Sequence, residues 1–392
     1  MMIRRQHIVR DFFDEAQAMR NVLDARFKDP YTDSIDWHYF CHPQMYTYFR
    51  TKPEAVFPPA VFGRFTRRLR AWCMDNLGLV PSSLPYLHLM VNGCRLGLHS
   101  DFHNGTWGYV YSLTYWGKRQ FSGGETLLMR DGIPSYKKHH VQGEVLYELI
   151  PAEFNQLFIF DDRIVHATPT IEGSMNPLDG RIALVGHIRA TSPVVNGALS
   201  STAVRATLLE VLPKLRDRLK GYTDVQGVIT YRIDISPTGK VSCIAARTDN
   251  IVTASAGYGH ADAVVTVNSL IQRTITGLNF PAATGHSVAI VALLIPLPDL
   301  RPIEIAVSNK ASASAIREWA AIHLGSLDDL EFLGHWEGNT FVAEQPITGQ
   351  IRIGAEHIEA SFDAPMWVPS QREAFERTLN QWLVHASSCA DV

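Results

Sequence analysis

Four residues of this chain combine side-chain types and a spacing that could hold a metal ion beside an anion. His99 and Asp101 stand two positions apart, and His166 follows much later, beyond several apolar runs. Residues two apart on a strand point to the same face of a sheet, so His99 and Asp101 can reach one ion. Arg181 opens a further apolar run and adds a fixed positive charge. The set predicts a three-ligand metal site with a neighbouring cation.

Two imidazoles and one carboxylate on one side of a metal ion leave its other coordination positions open. Non-haem Fe(II) oxygenases use this 2-His-1-carboxylate arrangement. A 2-oxo acid chelates through two atoms and dioxygen needs one more position, which explains why three must stay open. Taken singly, the two histidines are equally typical of polar positions on a sheet, and Asp101 of a turn. The metal site is predicted from their order within a β-rich segment.

The order of the motifs is HxD, then GGET, then a single His, then GR at the start of a strand. In this order, residues 85–190 resemble the 2-oxoglutarate/Fe(II) dioxygenase superfamily, particularly its prolyl-4-hydroxylase-like branch. The resemblance implies that His99, Asp101 and His166 bind Fe(II). It implies that Arg181 pairs with the distal carboxylate of 2-oxoglutarate, for which a planar guanidinium offers two parallel hydrogen bonds. The implied cofactors are Fe(II), 2-oxoglutarate and O2, with ascorbate as the reductant in vitro.

The chain departs from the family pattern at Met90, where members commonly carry a tyrosine before HxD. The hydrogen bond that this tyrosine gives to 2-oxoglutarate must then come from elsewhere. Tyr109, Tyr111 and Thr114 alternate along the next strand and are candidates for it. Cross-strand packing is an equally good explanation for the three. His103 could face the substrate, although a solvated loop residue is the simpler interpretation.

The elements that must position these residues are mostly short strands. Six apolar runs between residues 86 and 188, separated by Gly, Asn and Asp, predict a double-stranded β-helix, also called a jelly roll. Helical spacing over 8–27 and 61–77 predicts two helices that cover one face of the sheet. Residues 1–200 therefore form the predicted oxygenase domain, with its β-helix core at about 85–190. The polar stretch 190–202 is the expected linker.

Two small α+β domains are predicted to follow. Residues 203–298 resemble the C-terminal domain of TonB-type transducers through YRIDISPTGKVSCIAARTD and LIQRTITGLNFP. In that family an extended partner binds at a sheet edge, so this domain could hold a peptide or serve in packing or dimerisation. Residues 302–387 resemble a small domain associated with polyhydroxyalkanoate granules through FLGHWEGNTFVAE and GQIRIGAEHIEASFD, and carry no visible catalytic group.

Composition and charge exclude several classes of protein. The 392 residues are 46% hydrophobic and 19% charged, which allows sizeable cores. Thirty-six basic against 39 acidic residues argue against a nucleic-acid partner. Five scattered cysteines form neither a disulfide framework nor a zinc site. With no signal peptide and no membrane span expected, the predicted compartment is the cytoplasm.

The predicted activity is hydroxylation of an unactivated C–H bond, with succinate and CO2 as co-products. The expected substrate is an amino-acid side chain in a peptide or protein that the C-terminal domains could hold. A free amino acid or another small metabolite, hydroxylated or desaturated, is the alternative. A non-catalytic binding scaffold is an alternative of another class. The sequence does not indicate the oligomeric state.

Overall fold

The computed structural model describes most of the chain. The described residues are 5–28, 35–42, 45–82, 84–102, 104–129, 146–253, 260–298, 301–323, 333–345, 349–363 and 369–388. They divide into two compact units, one of residues 1–73 and 84–189 and the other of residues 74–83 and 190–392. Of the helices in this part of the chain, none combines the length and the apolar character that a membrane span requires.

The helices of the described residues, in chain order, are α1 Ala16–Phe27, α2 Pro59–Leu77, α3 Ser201–Leu219, α4 His260–Thr276, α5 Ala313–His323 and α6 Pro369–Ala386. The strands are β1 Gln6–Val9, β2 His38–His42, β3 Tyr46–Thr51, β4 Val80–Pro81, β5 Tyr86–Met90, β6 Arg95–His99, β7 Trp107–Ser112, β8 Phe121–Ser122, β9 Thr126–Met129, β10 Tyr147–Ile150, β11 Gln156–Asp161, β12 His166–Thr168, β13 Glu172–Gly173, β14 Arg181–Arg189, β15 Val194–Gly197, β16 Val225–Ile235, β17 Val241–Asp249, β18 Val252–Thr253, β19 Ser287–Ile295, β20 Ile303–Ser308, β21 Leu333–Glu337, β22 Thr340–Gln345, β23 Gly349–Ile353 and β24 His357–Phe362.

The first unit is built on an antiparallel sheet. Its strands run in the order β1-β11-β7-β14-β5-β3-β6-β12-β9-β10, with β2 also paired to β3. Strands from distant parts of the chain alternate in this order, which is the pattern of a jelly roll. The six apolar runs predicted as strands form β5, β7, β9, β10, β11 and β14. The β-rich architecture predicted for this segment is therefore present.

The outer face of the sheet packs against α1 and α2. The ring of Tyr111 on β7 lies 4.7 Å from that of Phe65 and 5.8 Å from that of Phe12, measured between centroids. Arg20 of α1 is buried and donates through Nη1 to the carbonyl oxygen of Leu113 at 2.9 Å. Both predicted helices thus cover one face of the sheet. The other face is left for the site.

Two local predictions differ from the structure in this unit. The helix predicted over 8–27 begins only at Ala16, because the residues of β1 pair with β11 instead. The aromatic stretch between the predicted helices forms the β2–β3 hairpin, with Phe40 stacked on Tyr48 at 5.3 Å between ring centroids. Both segments gain ladder hydrogen bonds that a local pattern of apolar residues does not reveal.

Residues 74–83, which the sequence assigned to the first domain, belong to the second unit. Helix α2 ends at Leu77, and Gly78 follows with φ +67°, the left-handed conformation that closes many helices. The carbonyl oxygen of Leu77 accepts hydrogen bonds from the hydroxyls of Thr230 and Thr248. A Cβ on Gly78 would lie 3.0 Å from atoms of Thr230 and Ile290, so the close approach also requires glycine.

The remainder of the second unit contains two further sheets. In the first, β15-β19-β16-β17 pack against α3 and α4 through a core that includes Leu208, Val267 and Ile233. The stretch 190–202, expected to be a linker, instead contributes β15, which pairs with β19 along its whole length. This strand is short and lacks the alternation of apolar and polar residues by which a strand is predicted from sequence.

The last sheet is the meander β20-β24-β23-β22-β21, with α5 and α6 beside it. Its own core includes Phe375, Leu379, Ile351 and Phe362, and the rings of Phe362 and Phe375 meet edge to face at 5.7 Å. Each of the two C-terminal segments contains both helices and strands. Their resemblance to TonB-type and granule-associated domains, and the division of the chain into three domains, stay predictions.

Candidate metal and co-substrate site

The three predicted metal ligands meet at the junction of two strands. β6 ends at His99 and β12 begins at His166, and the two residues are register partners with ring centroids 4.3 Å apart. Asp101 follows β6, and its backbone N–H donates to the carbonyl oxygen of Asp162 at 3.0 Å. The backbone N–H of Asn104 in turn donates to the carbonyl oxygen of Asp101 at 2.7 Å. These two backbone hydrogen bonds hold Asp101, and with it the carboxylate, beside the imidazoles.

The potential ligand atoms converge on one point. Oδ2 of Asp101 lies 3.6 Å from Nε2 of His99 and 3.4 Å from Nε2 of His166. Metal–ligand bonds of about 2.1 Å place two ligands at right angles about 3 Å apart. The observed separations are only slightly longer. One ion could therefore bind all three atoms after small side-chain movements.

Backbone carbonyl groups fix which nitrogen of each histidine faces this point. Nδ1 of His99 lies 2.7 Å from the carbonyl oxygen of Gly97, and Nδ1 of His166 lies 2.9 Å from that of Ile164. A carbonyl oxygen only accepts, so each Nδ1 carries a hydrogen and each Nε2 faces Asp101, where it could bind a metal ion once it carries no hydrogen. Second hydrogen bonds of this kind are the usual support of metal-binding histidines.

The electrostatics of the cluster also suit a cation. Burial alone would raise the pKa of Asp101, but hydrogen bonds from His166 and His99 outweigh it and hold that pKa well below its usual range. Burial opposes protonation of His99, yet the Asp101 carboxylate raises the pKa of this imidazole overall. The ionised carboxylate of Asp101 therefore attracts positive charge, which a metal ion could supply in place of the protons on the two imidazoles. Two nitrogens and one carboxylate oxygen are a donor set that suits Fe(II).

Arg181, the predicted partner of the 2-oxoglutarate carboxylate, begins β14 and is buried, with 2% of its surface exposed. Its Nη1 donates weakly to the sulfur of Met90 at 3.6 Å, and its Nε has no partner among the described residues. Burial lowers the pKa of Arg181 to about 10, although the charge of Glu125 acts in the opposite direction. A buried guanidinium in this state is suited to an anion from outside the chain.

Arg20 shows what a satisfied buried arginine looks like in the same unit. Its guanidinium donates to the carbonyl oxygens of Leu113 and Leu178 and to the carboxylate of Asp24, and it lies over the ring of Tyr115. It is 1% exposed, so the two arginines are equally buried. Of the two arginines, only Arg181 lacks strong acceptors among the described residues.

A continuous row of side chains links Arg181 to the metal ligands. Strand register places Arg181 and His88 on the same face of the sheet. The register partner of His88 is Ala183, which lies two residues after Arg181 on β14 and therefore points to the same side. The ring of His88 lies 4.6 Å from that of Tyr48, measured between centroids. Two residues earlier on β3, the ring of Tyr46 lies 5.6 Å from that of His99.

Tyr109 and Tyr111, predicted as 2-oxoglutarate ligands, do not lie on this face. Ser112 pairs with Ala183, so strand alternation turns both tyrosines to the opposite face from Arg181. The hydroxyl of Tyr111 donates to Oδ1 of Asn155 at 2.8 Å. Both side chains are buried in the outer layer, on the face that α1 and α2 cover.

Thr114 is also placed differently from its prediction. Its hydroxyl donates to the carbonyl oxygen of Ile182 at 3.0 Å and accepts from the N–H of Ile182 at 2.9 Å. Both roles of the hydroxyl are therefore used to join the ends of two strands. The side chain is 1% exposed, and its single O–H donor is already used, so it has none left for a carboxylate of the co-substrate. His103 lies outside the described residues.

An ion pair of Asp162, which is buried, and His187, which is half-buried, lies next to the candidate metal ligands and was not predicted from the sequence. Oδ2 of Asp162 lies 3.0 Å from Nδ1 of His187, and one potential ligand atom of each lies within 4.8 Å of one of Asp101. Burial raises the pKa of Asp162 to about 6, against the effect of His187. A Cβ on Gly105 or Gly108 would lie within 2.9 Å of this carboxylate, so glycine makes room for it. An aspartate after an apolar strand, and a histidine within one, were the available signals.

Comparisons with known proteins complete the description of the site. No protein-family model and no curated protein matches the chain. A solved prolyl-4-hydroxylase of Pseudomonas putida is 14% identical, covering 47% of this chain and 91% of that one, with a TM-score of 0.33.

Two further solved structures are similar at the same level. A 2OG-Fe(II) oxygenase family oxidoreductase of Burkholderia pseudomallei is 14% identical, covering 46% of this chain and 83% of that one, with a TM-score of 0.32. HygX of Streptomyces hygroscopicus, solved with nickel, 2-oxoglutarate and hygromycin B, is 12% identical, covering 46% of this chain and 80% of that one, with a TM-score of 0.31. Identities and TM-scores this low do not assign the chain to a family.

Proposed function

We propose that this chain is an Fe(II)- and 2-oxoglutarate-dependent oxygenase that hydroxylates an unactivated C–H bond. In the overall reaction, substrate, 2-oxoglutarate and O2 give hydroxylated substrate, succinate and CO2. One observation carries the proposal: a three-ligand metal site shares a sheet face with a buried arginine that lacks a carboxylate partner among the described residues. Each feature alone has a structural explanation. Together they complement the two ends of a 2-oxo diacid.

When bound, the iron supplies the redox chemistry that activates O2 and oxidises the C–H bond. The protein's contribution is position and charge. The hydrogen bonds of Gly97 and Ile164 hold the two imidazoles with Nε2 forward. Arg181 provides a positive charge for the distal carboxylate in a buried environment, where a charge-assisted pair is strong. An aspartate at position 101 favours hydroxylation over halogenation, because its oxygen takes the coordination position that a halide would need.

The proposed substrate is an amino-acid side chain within a peptide or protein. Strand β17 of the second unit supports this class, since among the described residues it pairs along only one edge, with β16. An extended peptide can add to such an edge through main-chain hydrogen bonds. The alternatives remain a free amino acid or other small metabolite, and a binding scaffold without catalysis.

Metal and co-substrate binding separate the oxygenase from the scaffold. The full chain would be titrated anaerobically with Fe(II) and then with 2-oxoglutarate, and succinate release would be followed after O2 is admitted. An oxygenase takes up one Fe(II) per chain and releases succinate. His99→Ala is the matched control and should do neither while keeping its fold. A wild-type chain that binds no Fe(II), or binds it as well as His99→Ala, refutes the proposed function.

Mass spectrometry identifies the substrate class. Peptides and free metabolites would be incubated separately with the full chain, Fe(II), ascorbate and 2-oxoglutarate. The proposal expects a gain of one oxygen atom in a peptide, whereas loss of two hydrogen atoms would indicate desaturation. Oxidation of a free metabolite alone would replace the peptide proposal by its alternative.

A further inference from the structure

His88 is a buried polar side chain that no role described so far explains. It lies on β5 with 8% of its surface exposed, and its Nδ1 has no hydrogen-bond partner among the described residues. One face of its ring is covered by Tyr48. Leaving a buried nitrogen without a partner costs about 1–3 kcal/mol, so such a group needs an explanation.

The position of His88 relates it to the co-substrate. It is a diagonal neighbour of Arg181, since its register partner Ala183 lies two residues from Arg181 on β14. Side chains at such diagonal positions on one face are within reach of a shared ligand. His88 also lies two residues before Met90, on the same side of β5. Met90 occupies the place where a hydrogen-bonding tyrosine was expected, and its sulfur is only a weak acceptor.

The charges around His88 keep its imidazole neutral. Burial lowers the pKa of His88 to about 3, and the positive charges of Arg181, Arg50 and His187 add to this effect, against the negative charge of Asp101. A neutral imidazole has one N–H donor and no charge to repel the neighbouring guanidinium. The charges of both Arg181 and Asp101 act on the pKa of His88, which places this side chain between the candidate anion site and the candidate metal site.

We propose that His88 is a co-substrate-binding residue, whose imidazole N–H donates a hydrogen bond to the distal carboxylate of 2-oxoglutarate beside Arg181. This inference rests on the proposed function. It gives the unpartnered nitrogen its acceptor and supplies the hydrogen bond that Met90 cannot. It also makes the sheet face between β14 and β3, rather than the outer tyrosines, the specificity determinant for a 2-oxo diacid.

The test compares variants of the full chain by their direct binding of two ligands. His88→Leu removes both ring nitrogens, and His88→Gln restores an N–H donor. His7→Leu is the matched control, because His7 lies on the opposite face of the same sheet with its ring near Trp72 and Trp107. Should His88→Leu fail to fold, His88→Met provides the same removal with a more flexible side chain.

Anaerobic calorimetry with Fe(II) would measure binding of 2-oxoglutarate and of 2-oxovalerate, which ends in a methyl group in place of the distal carboxylate. His88→Leu should lower the affinity for 2-oxoglutarate about ten- to hundredfold, which is the loss expected for a hydrogen bond to a charged group. Binding of 2-oxovalerate should stay within about twofold of wild type, because the lost bond involves only the distal carboxylate. His88→Gln should recover most of the affinity, and His7→Leu should match wild type for both ligands.

Two results would overturn the inference while leaving the proposed function intact. Unchanged 2-oxoglutarate binding by His88→Leu means that the side chain makes no contact. An equal loss for both ligands means that His88 supports the pocket and not the carboxylate. Wild-type protein that binds Fe(II) and 2-oxoglutarate poorly would refute the proposed function itself, and with it this inference.

Discussion

Replacement of Arg181 by methionine should separate stability from binding, because this arginine is buried without a strong partner. Its pKa falls from 12.5 to about 10 through burial. Each pKa unit corresponds to about 1.4 kcal/mol, so holding the charge in the folded state costs about 3 kcal/mol at neutral pH. Arg181→Met removes this cost and keeps most of the side-chain volume. We expect the ligand-free variant to be at least as stable as wild type.

Binding of 2-oxoglutarate should respond in the opposite direction. Removing one partner of a buried, hydrogen-bonded charge pair costs about 2–5 kcal/mol. The KM for 2-oxoglutarate should therefore rise about a hundredfold, within a range of thirtyfold to several thousandfold. Fe(II) uptake should be unchanged, because none of the three metal ligands is altered. Wild type should gain about 3 kcal/mol of stability from 2-oxoglutarate at a hundred times its Kd, and the variant almost none at the same concentration.

Arg20→Met is the matched control, since both arginines are fully buried. Loss of the Arg20 guanidinium leaves the carbonyl oxygens of Leu113 and Leu178 without their donors. This control should lose about 2–4 kcal/mol of stability and keep its affinity for 2-oxoglutarate. Urea unfolding with and without 2-oxoglutarate measures both quantities. If Arg181→Met is clearly destabilised and binds 2-oxoglutarate like wild type, Arg181 is a structural residue and the reasoning fails.

Three further predictions follow from the site. Alanine at His99, Asp101 or His166 should abolish Fe(II) uptake and succinate release with the far-UV circular dichroism unchanged; normal succinate release by one variant would remove that residue from the site. Tyr109→Phe should leave the KM for 2-oxoglutarate unchanged and stability equal or up to about 1 kcal/mol higher, because its buried hydroxyl has no partner in the described residues; a rise in KM would contradict its placement on the outer face. The depressed pKa of His88 means that the unfolded chain binds a proton between about pH 3 and 6.5 that the folded chain does not, so stability falls as the pH falls. Between pH 7 and 5, metal-free His88→Gln should lose about 2 kcal/mol less than wild type in urea unfolding, and equal losses would show that His88 is protonated in the folded state.

The convergence of the three candidate metal ligands could be predicted because their signal is local and chemical. His99 and Asp101 bracket the end of one strand, and only a third ligand had to be found further along the chain. The structure brings His166 opposite His99 in the sheet, as the pattern required. Arg181 could be singled out for a similar reason, since a charged residue at the start of an apolar strand is unusual; its binding of 2-oxoglutarate stays a prediction.

The two faces of β7 could not be told apart from the sequence. Five of its six residues are buried, so burial does not alternate along the strand, and Tyr109 and Tyr111 look no different from inward-facing residues. Which face is inward is decided by α1 and α2, which pack over the tyrosines. His88 was missed for the converse reason. One histidine in an apolar strand carries no spacing signal until the register with β14 places it beside Arg181.

The end of α2 has a consequence for the synthesis of this protein. The carbonyl group of Leu77 receives its hydroxyl donors from Thr230 and Thr248, which follow 153 and 171 residues later. At about 5–20 residues per second, a ribosome needs roughly 10 to 30 s to produce them. During that interval the carbonyl group of Leu77 lacks the two hydroxyl donors of the finished fold, and Gly78 lacks its close neighbours Thr230 and Ile290. A folding chaperone at the exit tunnel would meet this segment before any other part of the second unit exists.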